Sequence, residues 1–132
     1  MQERISINVR RSQLGRVRGA GSAKSGVHHW YAERVTAIAL VPLTLWFIIS
    51  MLRLAGAPYG VVVHWAGRPW NAVLLLALIV TTFYHMALGV QVVLEDYVHH
   101  RLFMGAGLLL TKAACWLLGL LGVVSVLRLA VL

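Results

Sequence analysis

One histidine, His85, stands near the middle of a long apolar run, far from the charged residues Arg68 and Glu95 that close it. An ionisable side chain deep in lipid is costly, and such residues face a bundle interior or a cofactor rather than acyl chains. A neutral imidazole is a good axial ligand for haem iron. A histidine hydrogen-bonded across helices with no ligand is the competing reading, and position alone leaves both open. On a helix of 3.6 residues per turn, position i+11 returns to nearly the same face, so Asp96 stands on the stripe of His85, about 16 Å further along. Gly89, one turn after His85, lies on that stripe and lets a flat macrocycle or another helix approach the backbone. Thr81 and Thr82, one turn before it, can bond their own helix or a neighbour. Tyr97 follows Asp96, and its phenol can donate to a quinone carbonyl, with Asp96 orienting it or serving a proton path. An interfacial anchor is the plainer reading of that tyrosine.

A second polar group precedes the first apolar run: His28, His29 and Arg34. A guanidinium suits carboxylate recognition, which makes a haem propionate a plausible partner for Arg34. Snorkelling to the head groups is the alternative. His28 can assist a propionate or line a polar path. His64, His99 and His100 read as interfacial polar residues. Lys112, inside the third apolar run, is open to snorkelling, to pairing with Asp96 or Glu95, or to a partner contact.

These side chains need helices to hold them. Apolar stretches run from Val35 to Leu52, from Pro69 to Leu94 and from Leu102 to Leu127, each bounded by charge. About 20 residues of helix cross a hydrocarbon core of about 30 Å. Backbone groups cannot go unpaired in lipid, and runs this long and continuously apolar exclude barrel strands. The sequence therefore predicts an all-α membrane protein with three transmembrane helices, over about residues 30–54, 69–95 and 101–128. Trp30 and Tyr31 extend the first span, Pro42 can kink it, and Pro69 suits the first turn of the second. Residues 55–68, with Gly56, Pro58, Gly60 and Gly67, read as a turn-rich connector, where Tyr59, Trp65 and Trp70 would form an aromatic belt.

Composition supports lipid as the solvent. Hydrophobic residues make up 60% of the chain and charged ones only 12%, against about 25% charged in soluble domains. In 132 residues there is no room for a separate soluble catalytic module. The net charge of +8 is concentrated at the start: Arg4, Arg10, Arg11, Arg16, Arg18, Lys24 and Arg34 face only Glu3 and Glu33. With no recognition motif beside it, this charge speaks for the positive-inside rule and anionic lipid, not nucleic acid. Residues 1–25 are read as a basic cytoplasmic tail and residues 26–132 as the three-helix anchor domain. The N-terminus is then cytoplasmic and the C-terminus periplasmic in a bacterial inner membrane. A mitochondrial presequence is the alternative for this Arg-rich, acid-poor stretch. The single cysteine, Cys115, forms no internal disulfide and reads as a packing residue.

The segment from His85 through Gly89 to Asp96, Tyr97 and Val98 resembles the signature of the small hydrophobic membrane anchor of succinate dehydrogenase: a histidine, a glycine four later, and an Asp-Tyr pair at eleven and twelve. The segment from Gly26 through His28 and Arg34 to Ala37 resembles that family's entry to its first helix. The stretch from Gly21 to Gly26 is similar to alphaproteobacterial members. The resemblance spans about residues 20–132.

It implies half of a heterodimeric haem-b-binding helical bundle within a four-subunit complex II. A second haem-binding anchor, an iron–sulfur subunit and a flavoprotein subunit would be the partners, with FAD and iron–sulfur clusters held in the latter two. His85 would be an axial ligand of haem b, Arg34 would contact a haem propionate, and His28 matches a position near those propionates. Tyr97 would hydrogen-bond ubiquinone, with Asp96 beside it. The chain would take no part in succinate oxidation itself. Two other readings stay open: a b-type anchor of a quinol:fumarate reductase or other oxidoreductase, and a small proton-coupled transporter using His85. A purely structural anchor is a further option.

Overall fold

The computed structural model describes residues 24–131; the basic tail before Lys24, and its reading as cytoplasmic, lies outside them. Four helices follow one another: α1 Lys24–Leu54, α2 Tyr59–Gly67, α3 Pro69–Tyr97 and α4 Arg101–Val131. Three of them, α1, α3 and α4, are long and apolar enough to cross a membrane. At 1.5 Å per residue they are about 43–47 Å long, so each overhangs a hydrocarbon core of about 30 Å. That overhang explains why α1 begins at Lys24, several residues before its apolar run. The turns carrying His28 and His29 belong to the same helix but to a wetter layer.

Two hydroxyls within the spans are satisfied on their own helices. Thr44 Oγ1 donates to Leu40 O at 2.6 Å and Ser125 Oγ to Leu121 O at 2.8 Å, each one turn back on its own helix. α1 continues through Pro42. Pro69 opens α3, where its missing N–H has no intrahelical acceptor to lose, and Ala72 N bonds Arg68 O at 2.8 Å to close the first turn. Gly56, at φ +78°, makes the turn out of α1.

The connector differs from the turn-rich loop that its glycines and prolines predict. It contains α2, whose ends those residues mark: Pro58 caps it and Gly67 is its last residue. Packing secures this short helix despite its run of valines. Trp65 stacks on Trp46 of α1 with ring centroids 5.7 Å apart, and its carbonyl accepts from Asn71 Nδ2 at 2.7 Å. Trp65 thus turns inward rather than joining the aromatic belt, while Tyr59 and Trp70 remain exposed. Gly67 lies against the backbone of Leu129 in α4, where an added Cβ would sit 2.5 Å from the Leu129 oxygen.

α3 is the central element and packs against both α1 and α4. Its contact with α4 is antiparallel and built on glycines. Cβ positions at Gly107, Gly119 and Gly122 would meet Leu94 at 3.3 Å, Phe83 at 3.4 Å and Ile79 at 3.1 Å. This is the close backbone approach by which membrane helices pack without a hydrophobic driving force. Among the described residues only Ala66, Ala72, Cys115, Val126 and Ser50 are buried. Large apolar side chains such as Ile38 and Trp116 are more than 70% exposed, so lipid or other protein must cover them.

Candidate functional site

His85 sits on α3 about 18 Å from its Tyr97 end and about 24 Å from its Pro69 end, deeper than any head-group layer reaches. The side chain is half-buried. Its Nδ1 lies 2.8 Å from Thr36 Oγ1 on α1, a contact between residues 49 apart in sequence. The same hydroxyl lies 2.8 Å from Ala32 O and 3.0 Å from Glu33 O, within its own helix. Thr36 is the site residue that the sequence reading missed. Its hydroxyl in an apolar stretch was the available signal, but which helix it faces depends on how α1 and α3 pack.

The other ring nitrogen of His85 behaves differently. Among the described residues the buried side-chain nitrogen or oxygen atom that lacks a partner is His29 Nε2. His85 Nε2 is not buried, and no described residue hydrogen-bonds it. Gly89 adds to this opening: a Cβ there would meet nothing within 4 Å. Among the described residues Gly89 therefore serves no helix packing, as Gly105 of α4 does not, whereas Gly107, Gly119 and Gly122 of α4 do. Among the described residues His85 and Gly89 together present an imidazole nitrogen without a partner beside an open glycine. One ring nitrogen held and one free is the arrangement of an imidazole metal ligand. Among the described residues no three His, Cys, Asp or Glu side chains cluster to hold a bare metal ion. The donor set suits an ion that brings its own equatorial ligands, as haem iron does.

The remaining candidates lie toward one end of the molecule. Asp96 and Tyr97 are exposed at the end of α3, Tyr97 by 79%. Nearby, Gln91 Nε2 donates to Glu95 Oε1 at 2.8 Å. His28 is exposed on α1. Arg34 is exposed too, with its guanidinium 5.8 Å above the Trp30 ring, one turn earlier. At 100° per residue it stands roughly 160° around α1 from Thr36, so the chain alone does not bring Arg34 to His85. His29 shares the face of Thr36, two turns away. Lys112 is exposed on α4, and His100 packs against Phe103 at 5.0 Å. What the fold joins is His85 with Thr36; it leaves Asp96, Tyr97, Arg34 and His28 open to partners.

A separate apolar cavity of about 200 Å³ lies between α3 and α4, walled by Val80, Phe83, Tyr84, Cys115, Trp116 and Gly119 among others. Its α3 residues fall on the side of that helix opposite His85. It contains none of the polar candidates and suits hydrocarbon.

Residues 8–127 match the family described as succinate dehydrogenase/fumarate reductase transmembrane subunit. The chain is 40% identical to a succinate dehydrogenase hydrophobic membrane anchor subunit of Rickettsia bellii, over 67% of this chain and 70% of that one. It is 32% identical to the protein of the same name from Rickettsia conorii, over 80% of this chain and 84% of that one. A third, from Paracoccus denitrificans, is 32% identical over 60% of this chain and 61% of its own length. No solved structure matches.

Proposed function

This chain belongs to the succinate dehydrogenase/fumarate reductase transmembrane subunit family as a multi-pass membrane anchor subunit of succinate dehydrogenase, and on that premise we propose that it binds haem b through His85 and forms part of the quinone site at Asp96 and Tyr97. The observation that carries this reading is the state of the His85 ring. Nδ1 is engaged by Thr36, and among the described residues none bonds Nε2 and none lies within 4 Å of where a Cβ at Gly89 would be. Haem iron, when bound, supplies a one-electron relay in the membrane.

The chain's own residues supply position and protons. His85 Nε2 would hold the haem iron from this chain, and the second anchor subunit would contribute a further ligand. Gly89 gives the flat face of the macrocycle room against α3. Arg34, with His28 nearby on α1, binds propionate carboxylates at the cytoplasmic end. Tyr97 donates its phenol hydrogen to a carbonyl of ubiquinone, and the Asp96 carboxylate passes protons from the water layer. Seven Lys and Arg residues lie at the N-terminal end of α1 or before it, with Arg101 on the same side, against Arg53, Arg68 and Arg128 on the other. That asymmetry supports a cytoplasmic N-terminus, with the quinone site on the face where an iron–sulfur subunit would deliver electrons taken from succinate by a flavoprotein.

The test is His85→Ala in the complex purified in mild detergent. Loss or strong change of the reduced-minus-oxidised b-type spectrum is expected, with succinate oxidation by an artificial acceptor retained. An unchanged spectrum and haem content would refute axial ligation.

A further inference from the structure

Three close contacts meet at one threonine oxygen. Thr36 Oγ1 lies 2.8 Å from Ala32 O, 3.0 Å from Glu33 O and 2.8 Å from His85 Nδ1. The hydroxyl carries a single hydrogen, and carbonyl oxygens can only accept. If that hydrogen pointed to His85, two oxygen–oxygen contacts at 2.8 and 3.0 Å would have no hydrogen between them. Lone pair would face lone pair at both carbonyls. If the hydrogen points to the carbonyls, all three contacts are satisfied, provided that Nδ1 carries the imidazole proton and donates it to Oγ1. A neutral imidazole has only one such proton. Nε2 is then a bare lone pair.

We infer that Thr36 is a positioning residue that fixes His85 in the Nδ1–H tautomer, so that Nε2 is held ready to ligate iron. This rests on the proposed haem ligation by His85 and deepens it. The hydroxyl acts at one remove. The carbonyls of α1 hold its hydrogen, its lone pair holds the ring proton, and the ring is fixed in orientation on α3. Metal-bound histidines are commonly oriented by such a partner on the second ring nitrogen, which also makes the ligating nitrogen more basic. The α1–α3 interface is thereby coupled to the ligand. A change that rotates α1 would free the ring as well as loosen the pair of helices.

Thr36→Val keeps the β-branched shape and removes the acceptor, whereas Thr36→Ser keeps the hydroxyl and removes a methyl. Each variant is placed in the complete complex, purified in mild detergent, and assayed for haem content, the electron paramagnetic resonance spectrum of the ferric haem and its midpoint potential. Thr36→Val is expected to weaken haem retention by roughly 10–100-fold. It should also shift the low-spin signal and raise the potential, because the ligand becomes less electron-rich. Thr36→Ser should match the parent in all three. Parent-like behaviour of Thr36→Val overturns the inference while leaving the ligation itself intact. Equal loss in the valine and serine variants also overturns it, since shape rather than the hydroxyl would then matter. Should the valine variant fail to assemble, Thr36→Ala, which removes the acceptor without adding a methyl, is judged by the same criteria. A normal haem in His85→Ala would sink the ligation reading, and this inference with it.

Discussion

The two sides of α3 solve different problems with the same residue type. Toward α4, glycines serve contact: Gly107, Gly119 and Gly122 each lie where a Cβ would press on Leu94, Phe83 or Ile79. Toward the His85 side, Gly89 touches nothing within 4 Å of where its Cβ would be. The first side packs closely on its own chain at these glycines and encloses an almost wholly apolar cavity beside them. The second carries the interhelical polar contact between Thr36 and His85 and, among the described residues, an imidazole nitrogen without a partner and an open glycine. Glycine costs helix stability relative to alanine, about 1 kcal/mol. On the α4 side close packing offsets that cost. Among the described residues nothing packs on Gly89, which leaves room there for the proposed haem.

The largest difference should come from paired truncations on the two sides. His85→Ala should abolish or grossly alter the haem, whereas Trp116→Ala, at the apolar cavity, should leave the haem spectrum at the parental level. A spectrum changed equally by both would erase the distinction between the sides. Next come two valine insertions. Gly122→Val meets Ile79 and should lower resistance to detergent unfolding by about 1–3 kcal/mol, the usual cost of overpacking. At Gly89 an added Cβ meets no described atom within 4 Å, so Gly89→Val should leave that resistance nearly intact while lowering the haem-to-flavin ratio. Reversal of the two outcomes would mean that Gly89 is a packing glycine after all. The smallest effect is expected at the end of α3. Tyr97→Phe would remove the proposed hydrogen bond to the quinone, worth about 1.5 kcal/mol, and should slow quinone reduction roughly tenfold. Succinate oxidation with an artificial acceptor should be unaffected. Equal loss in both assays would instead indicate general instability.

Much of the site was legible in the residues because it lies along one helix. Once Pro69 to Leu94 is read as a span, the 3.6-residue repeat alone aligns His85, Gly89 and Asp96. Thr36 was invisible for the opposite reason. It belongs to another helix, and these helices are apolar nearly all round, so no polar face announces which side meets a neighbour. The connector was misread from real signals: Pro58 and Gly67 do punctuate the chain, but as the ends of α2. The stack of Trp65 on Trp46, which holds that helix in place, is a contact between distant segments.

The amino-acid sequence by itself determined a three-span helical membrane protein with one imidazole at depth and an acidic–phenolic pair near one end. Hydrophobic length and helical periodicity are local properties, fixed by the solvent and by backbone geometry. The tertiary structure alone decided which nitrogen of that imidazole is tied and which is free, and which glycines are filled and which left open. Those choices depend on the rotation and register of α1 and α4 against α3. In lipid these are set by side-chain fit and polar contacts between helices, since the apolar solvent covers every side of a helix equally well.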